Sequence, residues 1–179
     1  MRAINVDFEW VPLEAEVGKP YRYPFAATKH MKESYSQPGV YRWAVFAKET
    51  EPWAVYIGEA EDLVRRLAGY LKPGNKQQTN LRIKQYLDER LTSGSRIEFH
   101  KLDFSPFKVN GVELSIDTCH KSPVRKILEN LAILQHEKKL CTVMNRTADV
   151  REKKRVKAAS HLGLSRDKLA TILKAIEEG

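Results

Sequence analysis

Between Pro38 and Leu71 the order of residue types leaves the chain little freedom. Gly39-Val40-Tyr41-Arg42, Ala44-Val45-Phe46 and the run from Trp53 to Ile57 are rich in small, β-branched and aromatic residues. A charged, proline-containing patch from Lys48 to Pro52 separates them, which predicts two strands joined by a loop. Gly58 ends the second strand, and Asp62 stands where it can cap a helix. On that helix Leu63 and Leu67 share one stripe, while Arg66 and Tyr70, four residues apart, lie over each other. Each strand thus carries a tyrosine, and the next helix carries an arginine and a third phenol.

Two triplets stand out in this stretch, Gly39-Val40-Tyr41 and Tyr56-Ile57-Gly58, with Arg66 eight residues after Gly58 and Tyr70 four further on. This set resembles the GIY-YIG nuclease module, and its wording is most similar to the N-terminal nuclease domain of the bacterial excision-repair endonuclease. The loop between the triplets is a few residues longer than the family's, an insertion that a hairpin tolerates. The resemblance implies an α/β fold: a small GIY-YIG-type domain with a three-stranded antiparallel sheet flanked by helices. Here it would carry an extra hairpin and a helical C-terminal tail. It also implies hydrolysis of phosphodiester bonds in DNA, with RNA left open, in a repair, restriction or mobile-element setting.

The resemblance further implies that Tyr41, Tyr56, Arg66 and Tyr70 are the catalytic positions. Arg66 would offer a fixed, always-charged fork to the non-bridging oxygens. Tyr41 would be the general base, directly or through water, with Tyr56 and Tyr70 positioning it. A free tyrosine titrates near pH ~10, so it needs help from a metal or from a neighbouring cation such as Arg66, Arg65 or Lys48. Leu128-Glu129-Asn130 matches the family's metal-binding motif, so Glu129 is expected to hold Mg²⁺ (or Mn²⁺), which takes hard oxygen ligands. Asn145 stands near the place where the family carries an asparagine after this helix. The competing reading is a non-catalytic nucleic-acid-binding protein on the same scaffold. It predicts lost catalytic positions, and none is lost here.

Size and charge agree with one compact domain and a polyanionic partner. The 179 residues divide into an N-terminal arm (1–37), the nuclease-like domain (38–146) and a helical tail (147–179). The formal net charge of +8 favours DNA as a partner, although many basic proteins have none. Candidate phosphate contacts are Arg65, Lys72 and Lys76, with Asn145 beside them. Arg82, Lys84 and Arg90 lie on the next helix, where a solvated surface would look the same. Cys119 and Cys141 form no CxxC and suggest a reducing interior. No apolar run reaches the ~20 residues of a spanning helix, and no signal-type segment opens the chain. A soluble, cytoplasmic protein with no membrane partner is expected, and nothing sets its oligomeric state.

The flanking segments fill in around this centre. Ile4, Val6 and Phe8 alternate like a short strand, and Tyr21, Tyr23 and Phe25 read as part of an arm packed across the core. Thr79 or Asn80 is expected to cap a second helix that runs to about Leu91, with Ile83, Leu87 and Leu91 as its stripe and Gly94 closing it. Arg96 to Leu102 reads as the third strand, and its His100 receives no role. Asn110-Gly111 marks a hairpin. Ser122-Pro123 opens the third main helix, which buries Ile127, Leu128, Leu131, Leu134 and Leu140. His136, two turns beyond Glu129, reads as exposed or as a second ligand. Ala158 to Leu169 fits either a plain helical hairpin or a helix-turn-helix with Arg166 facing base edges.

Overall fold

A computed structural model describes residues 8–47, 51–109, 111–137 and 142–145. Ile4, Val6, Lys48, Asn110, Leu140, Cys141 and the tail with Arg166 lie outside the described residues. The N-terminal part holds β1 (Phe8–Pro12), β2 (Glu14–Glu16), β3 (Lys19–Pro20) and α1 (Lys29–Tyr35). Then come β4 (Gly39–Phe46), β5 (Ala54–Ala60), α2 (Leu63–Leu71), α3 (Gln78–Thr92) and β6 (Arg96–Phe104). A hairpin of β7 (Phe107–Val109) and β8 (Val112–Leu114) leads to α4 (Ser122–Glu137) and β9 (Thr142–Val143).

This is a mixed α/β fold whose main sheet has the order β1-β6-β4-β5-β9. The three central strands are antiparallel, as expected, but the sheet has five strands rather than three. The N-terminal arm adds β1 antiparallel to β6, Phe8 facing Phe104, and the segment after α4 adds β9 parallel to β5. Among the described residues no helix is long and apolar enough to cross a membrane.

Alternation along the strands sorts the core into two layers. One face carries Tyr41, Trp43 and Val45 of β4, Tyr56 of β5, and Ile97 and Phe99 of β6. Leu63, Val64, Leu67 and Tyr70 of α2, Ile83 and Leu87 of α3, and Met31 of α1 cover it. The other face carries Val40, Val55, Ile57, Leu102 and Phe104, and α4 covers it with Val124, Ile127, Leu128 and Leu131. Each buried side chain of this size contributes roughly 1.5–3 kcal/mol. That packing is what holds α2, whose 9 residues are too few for a helix that stands alone.

Local chemistry departs from expectation at a few points. Asp62 caps α2 as expected, its Oδ1 accepting from Arg65 N at 2.8 Å. α3 instead starts two to three residues early, with Gln77 at the cap position, and Asn80 is turned inward, donating to Gly69 O and Gln77 Oε1. Ile83 and Leu87 are buried, whereas Leu91, at the end of the stripe, is exposed. Tyr21 and Tyr23 pack against Trp43, and Phe25 is exposed. Gly111 takes the positive φ of 79° that the β7–β8 turn requires.

Candidate active site

The β4–β5 register sets Tyr41 opposite Gly58. The Tyr41 ring lies so close over Gly58 that a Cβ there would come within 2.4 Å of the phenol oxygen. Glycine is needed at 58 for this approach. Phe99 stacks on the other side of the ring at 4.9 Å between centroids. The cap at Asp62 and the Leu63–Leu67 stripe fix the roll of α2, which turns Arg66 and Tyr70 toward the same point. Three hydrogen bonds then close a triangle. Tyr41 Oη and Tyr70 Oη are 2.7 Å apart, Arg66 Nε donates to Tyr41 Oη at 2.9 Å, and Arg66 Nη2 donates to Tyr70 Oη at 3.0 Å. The guanidinium also lies over the Tyr70 ring, 4.8 Å from its centroid.

The guanidinium donates to both oxygens, and one phenol donates to the other. The accepting phenol therefore has a proton that the triangle does not use. Burial pushes Tyr41 above the usual phenol range, nearby Tyr56 pushes the same way, and Arg66 opposes both. Burial, Tyr41 and Tyr56 likewise raise Tyr70. Burial disfavours the charge on Arg66, but Tyr41 and Tyr70 outweigh it and the group is raised overall. At neutral pH the triangle consists of two neutral phenols on one charged fork.

At the edge of β5, β9 covers only Ala54 and Val55. Asn145 carries the ladder one step on with its side chain. Its Oδ1 accepts from Ile57 N at 2.9 Å and its Nδ2 donates to Ile57 O at 2.6 Å. Where β5 then runs into α2, a cleft of about 600 Å³ opens. Its wall carries Glu59, Glu61 and Asp62 from the β5–α2 junction, Arg65 and Arg66 from α2, and Ser122 and Arg125 from α4. Of the four expected catalytic residues only Arg66 lines this cleft. Tyr41 and Tyr70 are 0% exposed and Tyr56 8%, so the phenols stand behind Arg66 rather than sharing an open pocket with it.

Glu129 takes a different position. It is buried on α4, the helix that covers the face of the sheet opposite Tyr41, and it does not line the cleft. Ser122 and Arg125, earlier on the same helix, are the α4 residues that do. Among the described residues no group of three or more His, Cys, Asp or Glu could hold a metal. A magnesium ion needs only one or two carboxylates because it keeps several waters. Glu129, 3% exposed and outside the cleft, does not fit such a hydrated ion.

The expectation that His136 is exposed or a ligand does not hold. It is buried, Nε2 lies 2.8 Å from Arg42 Nη1, and Nδ1 lies 2.9 Å from Ala132 O. Arginine can only donate, so Nε2 accepts and the proton sits on Nδ1. His100 is buried beside it, accepting from Arg42 Nε at 3.2 Å and donating through Nε2 to Glu98 Oε2 at 2.7 Å. Burial, and then the charge of Arg42, lower its pKa to about 3. Glu98 in turn pairs with Arg22 and Arg96. Sequence reading missed this network, although an arginine and a histidine on facing strands were its signal.

The expected phosphate contacts are dispersed. Arg65 lines the cleft, exposed and 3.4 Å from Glu61, and Lys72 and Lys76 are exposed. Arg82 donates to Met144 O at 3.2 Å, and Lys84 is held by Asp88 at 2.6 Å. Arg90 lies over the Trp53 and Tyr86 rings, and the Asn145 side chain is committed to Ile57. Arg125 was not anticipated. Its Nε donates to Glu59 Oε2 at 2.7 Å, a pair that joins α4 to β5 at the cleft. In comparisons with known proteins, no family model, no curated protein and no solved structure matches the chain.

Proposed function

We propose that this chain is a metal-dependent endonuclease that hydrolyses phosphodiester bonds in DNA. The observation that carries the reading is Arg66, in the wall of an arginine-bearing cleft and held from behind by Tyr41 and Tyr70. Hydrolysis needs a water that attacks phosphorus, a group that takes its proton, and a stabiliser for charge on the non-bridging oxygens as the bond to the leaving sugar oxygen breaks. Arg66 is half-buried and already oriented by two phenols, so it needs no reorganisation to meet that charge. The unused phenolic proton is the one the triangle can release, and the phenolate left behind would keep its bonds to Arg66. Tyr41 is the candidate for this role, with Tyr70 sharing the fork and Tyr56 packing beside them.

Because burial holds Tyr41 above the ordinary phenol range, proton release at neutral pH requires added positive charge nearby. Mg²⁺ or Mn²⁺, when bound in the cleft, would offset charge on the leaving oxygen. The expected ligand Glu129, buried on the other face of the sheet, does not reach that point. The test is cleavage of supercoiled, flapped and mismatched DNA with and without Mg²⁺, by the native chain and by Arg66→Ala. Magnesium-dependent cleavage that Arg66→Ala reduces about 10²–10³-fold is expected. Cleavage that survives Arg66→Ala would sink the reading. Full burial of the phenols favours a second one, a non-cleaving DNA-binding protein, which requires DNA binding with no cleavage by the native chain.

A further inference from the structure

Asn80 is first of all a brace between two helices. The carbonyl of Gly69 in α2 would ordinarily accept from the amide four residues on, but that residue is Pro73, which has no N–H. Asn80 of α3 supplies the missing donor. Its Nδ2 donates to Gly69 O at 3.1 Å and, through its other proton, to Gln77 Oε1 at 3.1 Å. Both amide protons are thus used, and together they fix the way the side chain faces. Its other end is not used. Asn80 is only 4% exposed, yet among the described residues its Oδ1 accepts no hydrogen bond, and it is not one of the sealed polar atoms of the interior. Asn80 lines the cleft, so a buried and rigidly held acceptor opens there without a donor. That costs free energy unless a ligand or water meets it.

Gly69 gives a second, independent sign, and it lines the same cleft. A glycine inside a helix weakens it relative to alanine, so some other demand should account for one. Backbone geometry makes none here, because its φ is not positive. Packing makes none either, because a Cβ at 69 would stand an ordinary 3.6 Å from Asn80 Nδ2. A side chain at 69 would intrude only on the cleft. Gln77, also in the cleft wall, is held by its Oε1, which accepts from Gly74 N at 3.1 Å and from Asn80. Its Nε2 protons are left as donors on the amide beside the Asn80 acceptor.

We propose that Gly69, Gln77 and Asn80 form a subsite for an unpaired adenine, one helical turn along α2 from Arg66. It rests on the endonuclease reading in taking a DNA strand, with a phosphate at Arg66, as the source of the base. Residues three apart on a helix are surface neighbours, so such a strand has a base within reach of Gly69. The Asn80 acceptor calls for an N–H of the base, and the Gln77 amide for a ring nitrogen next to it. Adenine presents that pair as its N6 amine beside N7, and Asn and Gln amides are its usual partners. A flat ring needs a floor without a side chain, which Gly69 provides. The base must be unpaired, because a base inside the duplex stack does not enter a cleft.

The experiment uses the full chain in EDTA and fluorescein-labelled duplexes with a single-base bulge, followed by anisotropy. The bulged base is adenine, thymine, or purine, which is adenine without its amine. The native chain should bind the adenine bulge about tenfold more tightly than either of the others. Gly69→Ala should melt no lower than the native chain. Gly69→Leu, which fills the floor, should bring the adenine preference down to about one. Gln77→Glu keeps the acceptor for Gly74 and Asn80 but removes the donor, so it should lower the same ratio whatever its charge does to overall affinity. If Gly69→Leu does not fold, Gln77→Glu decides in its place. Equal binding of the three bulges by the native chain overturns the subsite, and so does a preference that persists in the deciding variant.

This outcome does not depend on cleavage. A native chain that prefers the adenine bulge but cleaves no DNA loses the endonuclease reading and keeps the subsite. A native chain that cleaves, yet binds all three bulges alike, keeps the first and loses the second.

Discussion

Arg66 and Arg42 are both folded among rings, and they lie on opposite faces of one sheet. Arg66 reaches two phenols and forms part of a cleft wall, whereas Arg42 reaches two imidazoles beneath α4, with its guanidinium 4.8 Å from the Trp10 ring centroid. The partners differ in what they can still give. Both nitrogens of His100 and of His136 are engaged, as acceptors toward Arg42 and as donors toward Glu98 and Ala132. The phenols around Arg66 have one proton more than their triangle uses. A guanidinium fork thus organises either face equally well, but only the phenol face has chemistry left over and an opening beside it.

The sharpest way to break this comparison is to truncate each arginine. Arg42→Ala should cost about 2–5 kcal/mol in urea unfolding, because buried imidazole nitrogens lose their donor. Arg66→Ala should cost less than half as much while carrying the main loss of cleavage. Equal stability losses would show that Arg66 is as structural as Arg42. Gly58→Ala comes next, since its Cβ would stand 2.4 Å from Tyr41 Oη and 2.6 Å from Cζ. A stability loss of about 1–3 kcal/mol is expected, with loss of cleavage, measured by thermal melting and plasmid nicking. Wild-type behaviour in both would mean that the ring does not need its place over residue 58.

The imidazole face should respond to acid. His100 titrates at about 3 in the fold against about 6.5 for a free side chain, so below pH ~6.5 the unfolded chain binds a proton that the native one refuses. This contribution is complete above pH ~6.5 and is lost as pH falls toward about 3, at up to about 1.4 kcal/mol per pH unit. Urea midpoints at pH 4 to 7 should show a slope that His100→Gln reduces, and an unchanged slope removes His100 as its source. The smallest effect is expected at Lys84, whose partner Asp88 is partly exposed. Lys84→Ala should move stability by less than about 1 kcal/mol and DNA affinity less than twofold in anisotropy titrations. A larger loss of binding would restore it as a phosphate contact.

Much of the α2 side of the molecule was legible. Alternation in 39–46 and 53–57, the Asp62 cap and the four-residue step from Arg66 to Tyr70 are local signals, and they foretell the hairpin, the helix and the residues that meet. The α4 side was not, because its decisive contacts join residues far apart in the chain. Arg42 to His136 and Glu59 to Arg125 depend on how α4 crosses the sheet, which no periodicity states. His136 shows the consequence. Its spacing from Glu129 is consistent with an exposed residue or a ligand, and only the packing of α4 on Arg42 buries it.

Because capping, alternation and i,i+4 spacing act over a few residues, the sequence by itself determined the β4–β5 hairpin, α2, α3, β6, the β7–β8 turn and α4, and which side chains they present together, though not α1, the β2–β3 pair or β9. Tertiary structure alone decided that Tyr41 and Tyr70 lie behind Arg66, that β1 and β9 extend the sheet, and that Arg125 rather than Glu129 faces the cleft. These depend on how layers dock, and docking is set by the summed packing of distant side chains rather than by any local run of residues.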